Sequence, residues 1–66
     1  MFYDTLKVPE NYIGLVIGKK GKNLNRLRIK FKTQIFLNKD TFSIYSSNNH
    51  DDVIDCKNSM LKIYQK

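Results

Sequence analysis

All three glycines of this 66-residue chain fall within one short segment, Gly14 to Gly21, which reads GLVIGKKG. Glycine enters left-handed backbone conformations at little cost, so a sharp change of chain direction is expected there. The residues between Gly14 and Gly18 are all apolar and fit a helix, and this pattern stops at Gly18. The segment therefore predicts two helices joined by the link Gly18-Lys19-Lys20-Gly21.

The same part of the chain carries most of the positive charge. From Asn11 to Lys39 there are eight cations and no acid, whereas the remainder holds four cations and all six acids. The net charge of +6 is thus the sum of a block of +8 and a remainder of −2. Such a block is often only a solvated face, but it also favours a polyanionic partner. The charge alone does not decide between the two.

Size and composition limit what the chain can be. We expect a single domain, residues 1–66, which at this size buries only about 60% of the surface of its unfolded form. No apolar run approaches the roughly 20 residues of a membrane span, and the start of the chain carries no secretory signal. The one cysteine, Cys56, has no partner for a disulfide or a metal site, and a buried, reduced thiol is expected. These features predict an intracellular protein, in the nucleus, the cytoplasm or both, without membrane contact, metal or cofactor.

The elements on either side of the glycines follow from residue periodicity. Residues 3–8 alternate as a strand does, and Pro9 ends them. Asn11 is placed to cap the short helix that follows. A second helix begins near Lys22, and its apolar residues recur at helical spacing. These residues are Leu24, Leu27 and Phe31.

Two more strands and a third helix complete the chain. The segments TQIFL and TFSIY are separated only by NKD, so they are expected to pair as an antiparallel hairpin. The run SSNN then offers helix caps, and His50, Asp51 and Asp52 open the last helix at the positive end of its dipole. Its predicted buried stripe is Val53, Cys56, Met60 and either Ile63 or Tyr64. The order β-α-α-β-β-α indicates an α+β fold with the helices on one face of a small sheet.

Two kinds of chemistry are excluded by spacing and residue type. A phosphate loop of nucleotide hydrolases needs G-x-x-x-x-G-K followed by Ser or Thr, whereas here three residues separate the first two glycines and Lys20 follows Lys19. Catalysis is not expected either, because the only histidine, His50, lies beside a helix cap. The acids Asp51 and Asp52 fall on the same helix, and no nucleophile–base pair is visible.

The glycine link can still bind an anion. The helix after it is expected to present free backbone N–H groups at its first turn, with Lys19 and Lys20 beside them. Gly18 and Gly21 would let a sugar-phosphate backbone approach, and Gly14 would leave the first helix bare where a base could lie. The alternative is that the glycines only allow the two helices to cross.

The longer string VPENYIGLVIGKKGKNLNRL resembles the K homology (KH) domain, whose signature runs Val-Ile-Gly-x-x-Gly-x-x-hydrophobic. The resemblance covers nearly the whole chain. Ile35 follows Gly21 by fourteen residues, the spacing of the second strand in that family, and the element order matches its eukaryotic type, type I. The resemblance implies a three-stranded antiparallel sheet packed on three helices and non-catalytic binding of single-stranded nucleic acid.

The resemblance also implies a narrow groove with an apolar floor for bases and a basic rim for phosphates. Its first wall would run along the first helix, the link and the second helix, and a strand would form the facing wall. The residues implied for the first wall are Ile13, Gly14, Ile17, Gly18, Lys19, Lys20, Gly21, Lys22, Leu24 and Arg28. Those for the facing wall are Ile35 and Leu37, and the alternative for Leu24, Ile35 and Leu37 is that they belong only to the core.

The chain departs from the family pattern in three places. Lys32 stands where the family often has a glycine that ends the second helix, so either the lysine is strained or the turn differs. SSNN follows the third strand in place of a glycine, and the loop between the second and third strands is very short. The aromatic residues are scattered along the sequence, and they predict no stacking platform. They include Phe2, Tyr3, Tyr45 and Tyr64.

The expected partner is single-stranded RNA, with single-stranded DNA as an alternative, in an RNA-processing or ribonucleoprotein assembly. Other ribonucleoprotein components or a tandem RNA-binding domain are further expected partners. The competing hypothesis is a KH-fold module that assembles proteins within a larger ribonucleoprotein while its groove stays unused. An intact Gly18-Lys19-Lys20-Gly21 favours RNA binding, because acidic or bulky loop residues would repel phosphate.

Overall fold

A computed structural model describes residues 1–65, so Lys66, the last residue of the predicted domain, lies outside it. The elements follow the predicted order β-α-α-β-β-α, and a short 3₁₀ turn, Lys19–Gly21, joins the first two helices. The elements are β1 (Phe2–Lys7), α1 (Glu10–Ile17), α2 (Lys22–Phe31), β2 (Gln34–Asn38), β3 (Thr41–Ser46) and α3 (His50–Tyr64). The predicted α+β fold class is confirmed.

The strands form one antiparallel sheet in the order β1-β3-β2, so β3 lies in the centre and β2 is an edge strand. Ile35 and Leu37 of β2 pair with Ile44 and Phe42 of β3. Because side chains alternate across a strand, this register turns all four toward the same face of the sheet. The helices pack on that face, and the core lies between them and the sheet. The buried apolar residues are Leu6, Val8, Val16, Leu24, Leu27, Ile35, Phe42, Ile44, Val53, Cys56 and Met60.

The opposite face of the sheet carries none of the core residues, and every outward position on it is exposed or half-buried. Tyr3 and Tyr45 pair across β1 and β3, and their rings stack with centroids 5.6 Å apart. Phe36 of β2 meets the Tyr45 ring edge-on at 5.9 Å. Strand register thus brings together aromatic residues that the sequence separates.

The helix ends agree only partly with the predicted caps. Pro9, not Asn11, precedes α1, and Asn11 lies inside its first turn. Proline is preset for this position because its fixed φ, here −54°, leads into the helix, and its carbonyl oxygen accepts from the Tyr12 amide at 2.8 Å. At α3 the SSNN run does supply the cap, since the Asn49 side chain accepts from the Asp52 amide at 2.9 Å.

Helix α2 ends on a lysine in a left-handed conformation. Lys32 has φ 52° and ψ 45°, and the Thr33 amide donates to the Arg28 carbonyl oxygen at 3.1 Å. This is the turn that a glycine would form with less strain, so the turn is kept and the lysine carries a cost of about 1–2 kcal/mol. Thr33 is buried, and its hydroxyl donates to the Cys56 sulfur at 3.6 Å. Burial of Cys56 is confirmed, and it raises the pKa of the thiol.

One ion pair joins the first strand to the last helix. The Lys57 ammonium lies 3.1 Å from Asp4 Oδ2, and the Asp4 Oδ1 accepts from the Thr5 amide at 2.7 Å. The hydrogen bond from Lys57, helped by the Thr5 amide, holds the pKa of Asp4 below its ordinary value. Both side chains keep about a third of their surface exposed, 28% for Lys57 and 34% for Asp4, so the pair is a surface interaction of modest strength.

Candidate nucleic-acid interface

The link between α1 and α2 contains three residues with positive φ. Gly18 has φ 78° and ψ 171°, Lys20 has φ 56°, and Gly21 has φ 74°. The Gly18 amide donates to the Gly14 carbonyl oxygen at 2.9 Å, which closes α1, and the Gly21 amide donates to Gly18 at 3.1 Å. The chain thus reverses direction within Gly18–Gly21, as the glycine spacing predicts.

Asn23, in the first turn of α2, holds this link in place. Its Nδ2 donates to the Val16 carbonyl oxygen at 2.8 Å, and its Oδ1 accepts from Arg26 Nη2 at 2.8 Å. A Cβ on Gly18 would lie 2.7 Å from the Asn23 Cβ, so only glycine fits at Gly18. Sequence reasoning missed Asn23, because nothing in the apolar periodicity marks a polar residue that bridges two helices.

The predicted row of free amides at the start of α2 is only partly present. The Gly21 amide already donates to Gly18, and the Lys22 amide donates to the Lys19 carbonyl oxygen. The prediction is wrong for Lys22, because the 3₁₀ turn uses its N–H internally, whereas Gly21 precedes the first turn of α2. No side chain caps the N-terminus of α2. An anion at the link would therefore meet fewer free N–H groups than predicted, with the side chains of Lys19 and Lys20 beside them.

The lysines of the link carry free charge. Lys19, Lys20 and Lys22 are all exposed. Within residues 1–65 the ion pairs are Lys7 with Asp40 and Lys57 with Asp4, and neither involves the link. Three positive charges thus lie along one short turn, and no ion pair among residues 1–65 neutralises them.

The α1 side of the groove is apolar and partly bare. Ile13 and Ile17 are half-buried against the core, and Gly14 between them is exposed. A Cβ on Gly14 would meet no atom within 4 Å. Since Gly14 has neither a side chain nor a close neighbour, a flat ring could lie directly on the helix backbone here.

Three of the groove residues had a position in the core as their alternative, and the structure buries two of them and leaves one exposed. Leu24 is 8% exposed and Ile35 is fully buried, so both side chains belong to the core. Leu37 is 39% exposed and shares the helix-facing side of β2 with Ile35. Among the groove residues, the apolar side chains that solvent can reach are therefore Ile13, Ile17 and Leu37.

The β2 side of the groove is a strand edge that Arg28 joins to α2. Arg28 Nη2 donates to the Ile35 carbonyl oxygen at 2.6 Å, and its Nη1 donates to Asn25 Oδ1 at 2.9 Å. The Ile35 carbonyl therefore points away from β3. Backbone polar groups alternate with a period of two along an antiparallel strand, so the N–H and C=O of Leu37 also point to this free edge. Arg28 and Ile35 thus meet, while Leu37 turns its backbone N–H and C=O toward this edge beside an exposed side chain.

One end of the groove is a depression of about 370 Å³ between α1 and the β2–β3 turn. Its lining consists of Glu10, Ile13, Lys39 and Asp40. Lys39 has φ 57°, so its backbone makes the turn without a glycine. Glu10, Lys39 and Asp40 are polar groups at the groove that the sequence reading did not select, because they belong to elements with no motif.

Residues 1–65 contain no group of three or more His, Cys, Asp or Glu side chains that could hold a metal ion. In the same part of the chain, every helix is too short or too polar to cross a bilayer.

The sequence model of the KH domain matches residues 3–62 of the chain. Among solved structures, Dim2p from Pyrococcus horikoshii OT3 superimposes with a TM-score of 0.81 at 24% identity over 92% of this chain. The same archaeal protein in an a/eIF2alpha-aDim2p-rRNA complex gives 0.80, also at 24% identity and 92% coverage. The chain spans only 40% and 37% of those two proteins.

The 13th KH type I domain of human Vigilin is a third similar structure, with a TM-score of 0.78 at 18% identity. This match covers 94% of the chain and 70% of the Vigilin domain. No curated protein sequence matches the chain. At these identities the solved structures support the fold, and the sequence model supports the family.

Proposed function

Because this chain belongs to the KH domain family, we propose that it binds single-stranded RNA, without catalysis, in the groove between α1, the Gly18–Gly21 link and β2. Membership of the family supports RNA binding in general, since KH domains clamp about four nucleotides with this link. The archaeal Dim2p, which shares the fold, is found in a complex that contains rRNA. The groove as the place of binding is supported by its own geometry.

The single observation that carries the proposal is the exposed, unneutralised pair Lys19 and Lys20 on a backbone that glycines keep open. Phosphate contacts fix the position of a nucleic acid without reading its sequence. Lys20 adopts a left-handed conformation, and Gly18 packs closely against Asn23. The backbone that carries the Lys19 and Lys20 side chains is therefore already ordered before RNA binds. Less entropy is then lost when a phosphate binds between them.

The floor and far wall supply the base contacts. The bare backbone at Gly14 and the aliphatic surface of Ile13, Ile17 and Leu37 would cover base faces. The free N–H and C=O groups of Leu37 would pair with base edges, because an unstacked base presents donors and acceptors there. Leu24 and Ile35 contribute by holding α2 and β2 at this spacing, and Arg28 adds the bond that joins them.

A single module of this size is expected to bind at about micromolar Kd, close to −8 kcal/mol. Tighter binding in a cell would come from linkage to a second RNA-binding domain or to other proteins of a ribonucleoprotein particle. The groove residues described above include no group dedicated to the ribose 2′-hydroxyl. A DNA strand of the same sequence therefore belongs in the test.

The experiment compares binding of labelled, sequence-pooled strands of about four to eight nucleotides to the wild type and to Lys19→Asp/Lys20→Asp. Aspartate tolerates the left-handed conformation at position 20, so the double variant should keep the fold. The matched control is Lys30→Asp/Lys62→Asp, which makes the same change of net charge at two exposed lysines that line a depression between α2 and α3.

Loss of binding in the link variant, with the control close to wild type, supports the groove as the site. Equal loss in both variants means that binding depends only on net charge, and it would reject the link as the site. An absence of binding by the wild type even at low salt would favour the competing hypothesis, a protein-assembly module with an idle groove.

A further inference from the structure

The outer face of the sheet, opposite the helices, has a composition that the groove does not explain. Nine outward positions on β1, β3 and β2 make up this outer face. Three are aromatic, one is lysine, and the other five bear hydroxyl or amide groups. None is aliphatic and none is acidic. An outer face of this kind offers rings, hydrogen-bonding groups and positive charge.

The three aromatic residues are clustered at one end of the outer face. Tyr3 and Tyr45 stack at 5.6 Å with their planes 23° apart, and Phe36 meets Tyr45 at 67°. Tyr3 is 62% exposed and Phe36 is 56% exposed. Because the Tyr3 and Phe36 rings are mostly exposed to water, they bury little apolar surface and contribute little to the stability of the fold.

Two cations lie on or beside the outer face, at opposite ends of it. Lys7 stands on the outer face at the far end of β1, 78% exposed and 3.8 Å from Asp40. Lys32, in its left-handed turn before β2, lines a small depression of about 120 Å³ together with Gln34 and Tyr45. Lys32 is exposed, and it therefore adds a positive charge beside Tyr45 of the aromatic cluster.

We propose that the outer face is a second contact for single-stranded nucleic acid, in which bases stack on Phe36 and Tyr3 and phosphates lie near Lys32 and Lys7. Aromatic rings interleaved with cations are how proteins hold single strands without reading their sequence. A nucleic acid is favoured over a protein partner because none of the nine outward side chains is acidic, so none of them repels phosphate.

The edge strand β2 connects this second contact to the groove. Leu37 points toward the groove side of β2, and Phe36 beside it points to the outer face. A strand that is longer than the groove can pass around the free edge of β2 and reach Phe36. The second contact does not require RNA to bind in the groove, so a failure of the proposed function would not by itself exclude the second contact.

The test uses two RNA strands, one of about four nucleotides, the length a KH groove holds, and one of about twelve. The variant Tyr3→Leu/Phe36→Leu removes the rings and keeps apolar side chains. Its matched control is Tyr12→Leu, which removes another exposed tyrosine, stacked on Tyr64 at 5.5 Å. Circular dichroism checks the fold, and Phe36→Leu alone replaces the double variant if the latter does not fold.

We expect the variant to lose about tenfold in affinity for the long strand, on the scale of stacking for one base, with the short strand unchanged. Photo-crosslinking of a 4-thiouridine-labelled long strand should reach Tyr3, Phe36 or Tyr45. Unchanged affinity for the long strand, or crosslinks confined to the groove, would overturn the proposal. So would a change of self-association in the variant without a change in RNA affinity, because that result assigns the rings to a protein contact.

Crosslinking is repeated with Lys19→Asp/Lys20→Asp to keep the two sites apart. If the outer face binds RNA, its crosslinks persist in this variant at higher protein concentration while binding of the short strand is lost. If the groove proposal alone fails, the short strand is unaffected by the link variant and the outer-face crosslinks remain. Loss of the outer-face crosslinks in the link variant at every protein concentration would overturn an independent second contact.

Discussion

A Cβ atom on Gly18 would lie 2.7 Å from the Cβ of Asn23, closer than such atoms approach in folded proteins. The close approach lets the Asn23 side chain bond the Val16 carbonyl oxygen, which joins the end of α1 to the start of α2. Gly18 therefore has two separable roles. It adopts a backbone conformation that other residues avoid, and it leaves room for Asn23, whose side chain joins the two helices.

Gly18→Ala is expected to cost more stability than Gly21→Ala. At Gly21 the methyl group meets nothing within 4 Å, so only the left-handed φ of 74° is penalised, by about 1–2 kcal/mol. At Gly18 the clash with Asn23 adds to a backbone region used almost only by glycine, for a total of about 3 kcal/mol or more. Urea denaturation of both variants measures the difference. Equal losses would mean that the link shifts away from Asn23 at no cost.

Gly14→Ala is expected to stabilise the fold and weaken RNA binding. Gly14 lies inside α1 with open space around it, so alanine should gain about 0.5–1 kcal/mol. The new methyl group would stand where the groove proposal places a base, so affinity for a short strand should fall. Thermal unfolding and strand titration are made on the same sample. A variant that is more stable and binds as well as the wild type would remove Gly14 from the site.

Asp4→Asn is expected to destabilise the protein at neutral pH but not in acid. Since the Lys57 hydrogen bond lowers the pKa of Asp4 in the folded state, the stabilisation is complete above the unfolded pKa of about 3.9. It is lost as the pH falls through the folded pKa. The pair is a third exposed, so the difference at pH 7 is expected to be at most about 1 kcal/mol.

Unfolding free energies of the wild type and Asp4→Asn between pH 7 and pH 2 should converge toward the acid end. Asp55→Asn is the control, because Asp55 is exposed on the same helix as Lys57. A difference that stays constant with pH would mean that the Asp4 charge does not contribute.

The local features of the fold could be predicted from the sequence because each depends on neighbours in the chain. The glycine spacing predicted the link, Leu24 and Leu27 predicted the inner side of α2, and the short segment NKD predicted the hairpin between β2 and β3. The elements of the fold follow from such short-range patterns, whereas the groove residues came from the family resemblance and remain a prediction.

What could not be predicted depends on contacts between distant parts of the chain. Tyr3 and Tyr45 stack because β1 pairs with β3, and no local pattern gives that register. Asn23 can donate to the Val16 carbonyl oxygen only because α1 and α2 lie together in the folded chain. Lys32 keeps a glycine-like turn because Thr33 is buried beside Cys56 and fixes where β2 begins. In each case tertiary packing overrode what the residue favours by itself.

The affinity of the groove for RNA is expected to depend on salt in proportion to its phosphate contacts. If about three phosphates are neutralised, log K should fall with log salt at a slope near −2 on the single-strand scale. Titrations of the wild type with a short strand at several salt concentrations give this slope. A slope near zero would mean that base contacts alone hold the strand and that Lys19 and Lys20 do not bind phosphate.

The proposed function places single-stranded RNA between the link and the free edge of β2. Amide chemical shifts, followed by ¹⁵N–¹H NMR during titration with a pooled short RNA strand, locate the binding site residue by residue. We expect the largest shifts at Gly14, at Gly18–Gly21 and at Ile35 and Leu37, with saturation at about micromolar concentration. Large shifts elsewhere with these residues unmoved would contradict it, because the strand would then occupy a different surface.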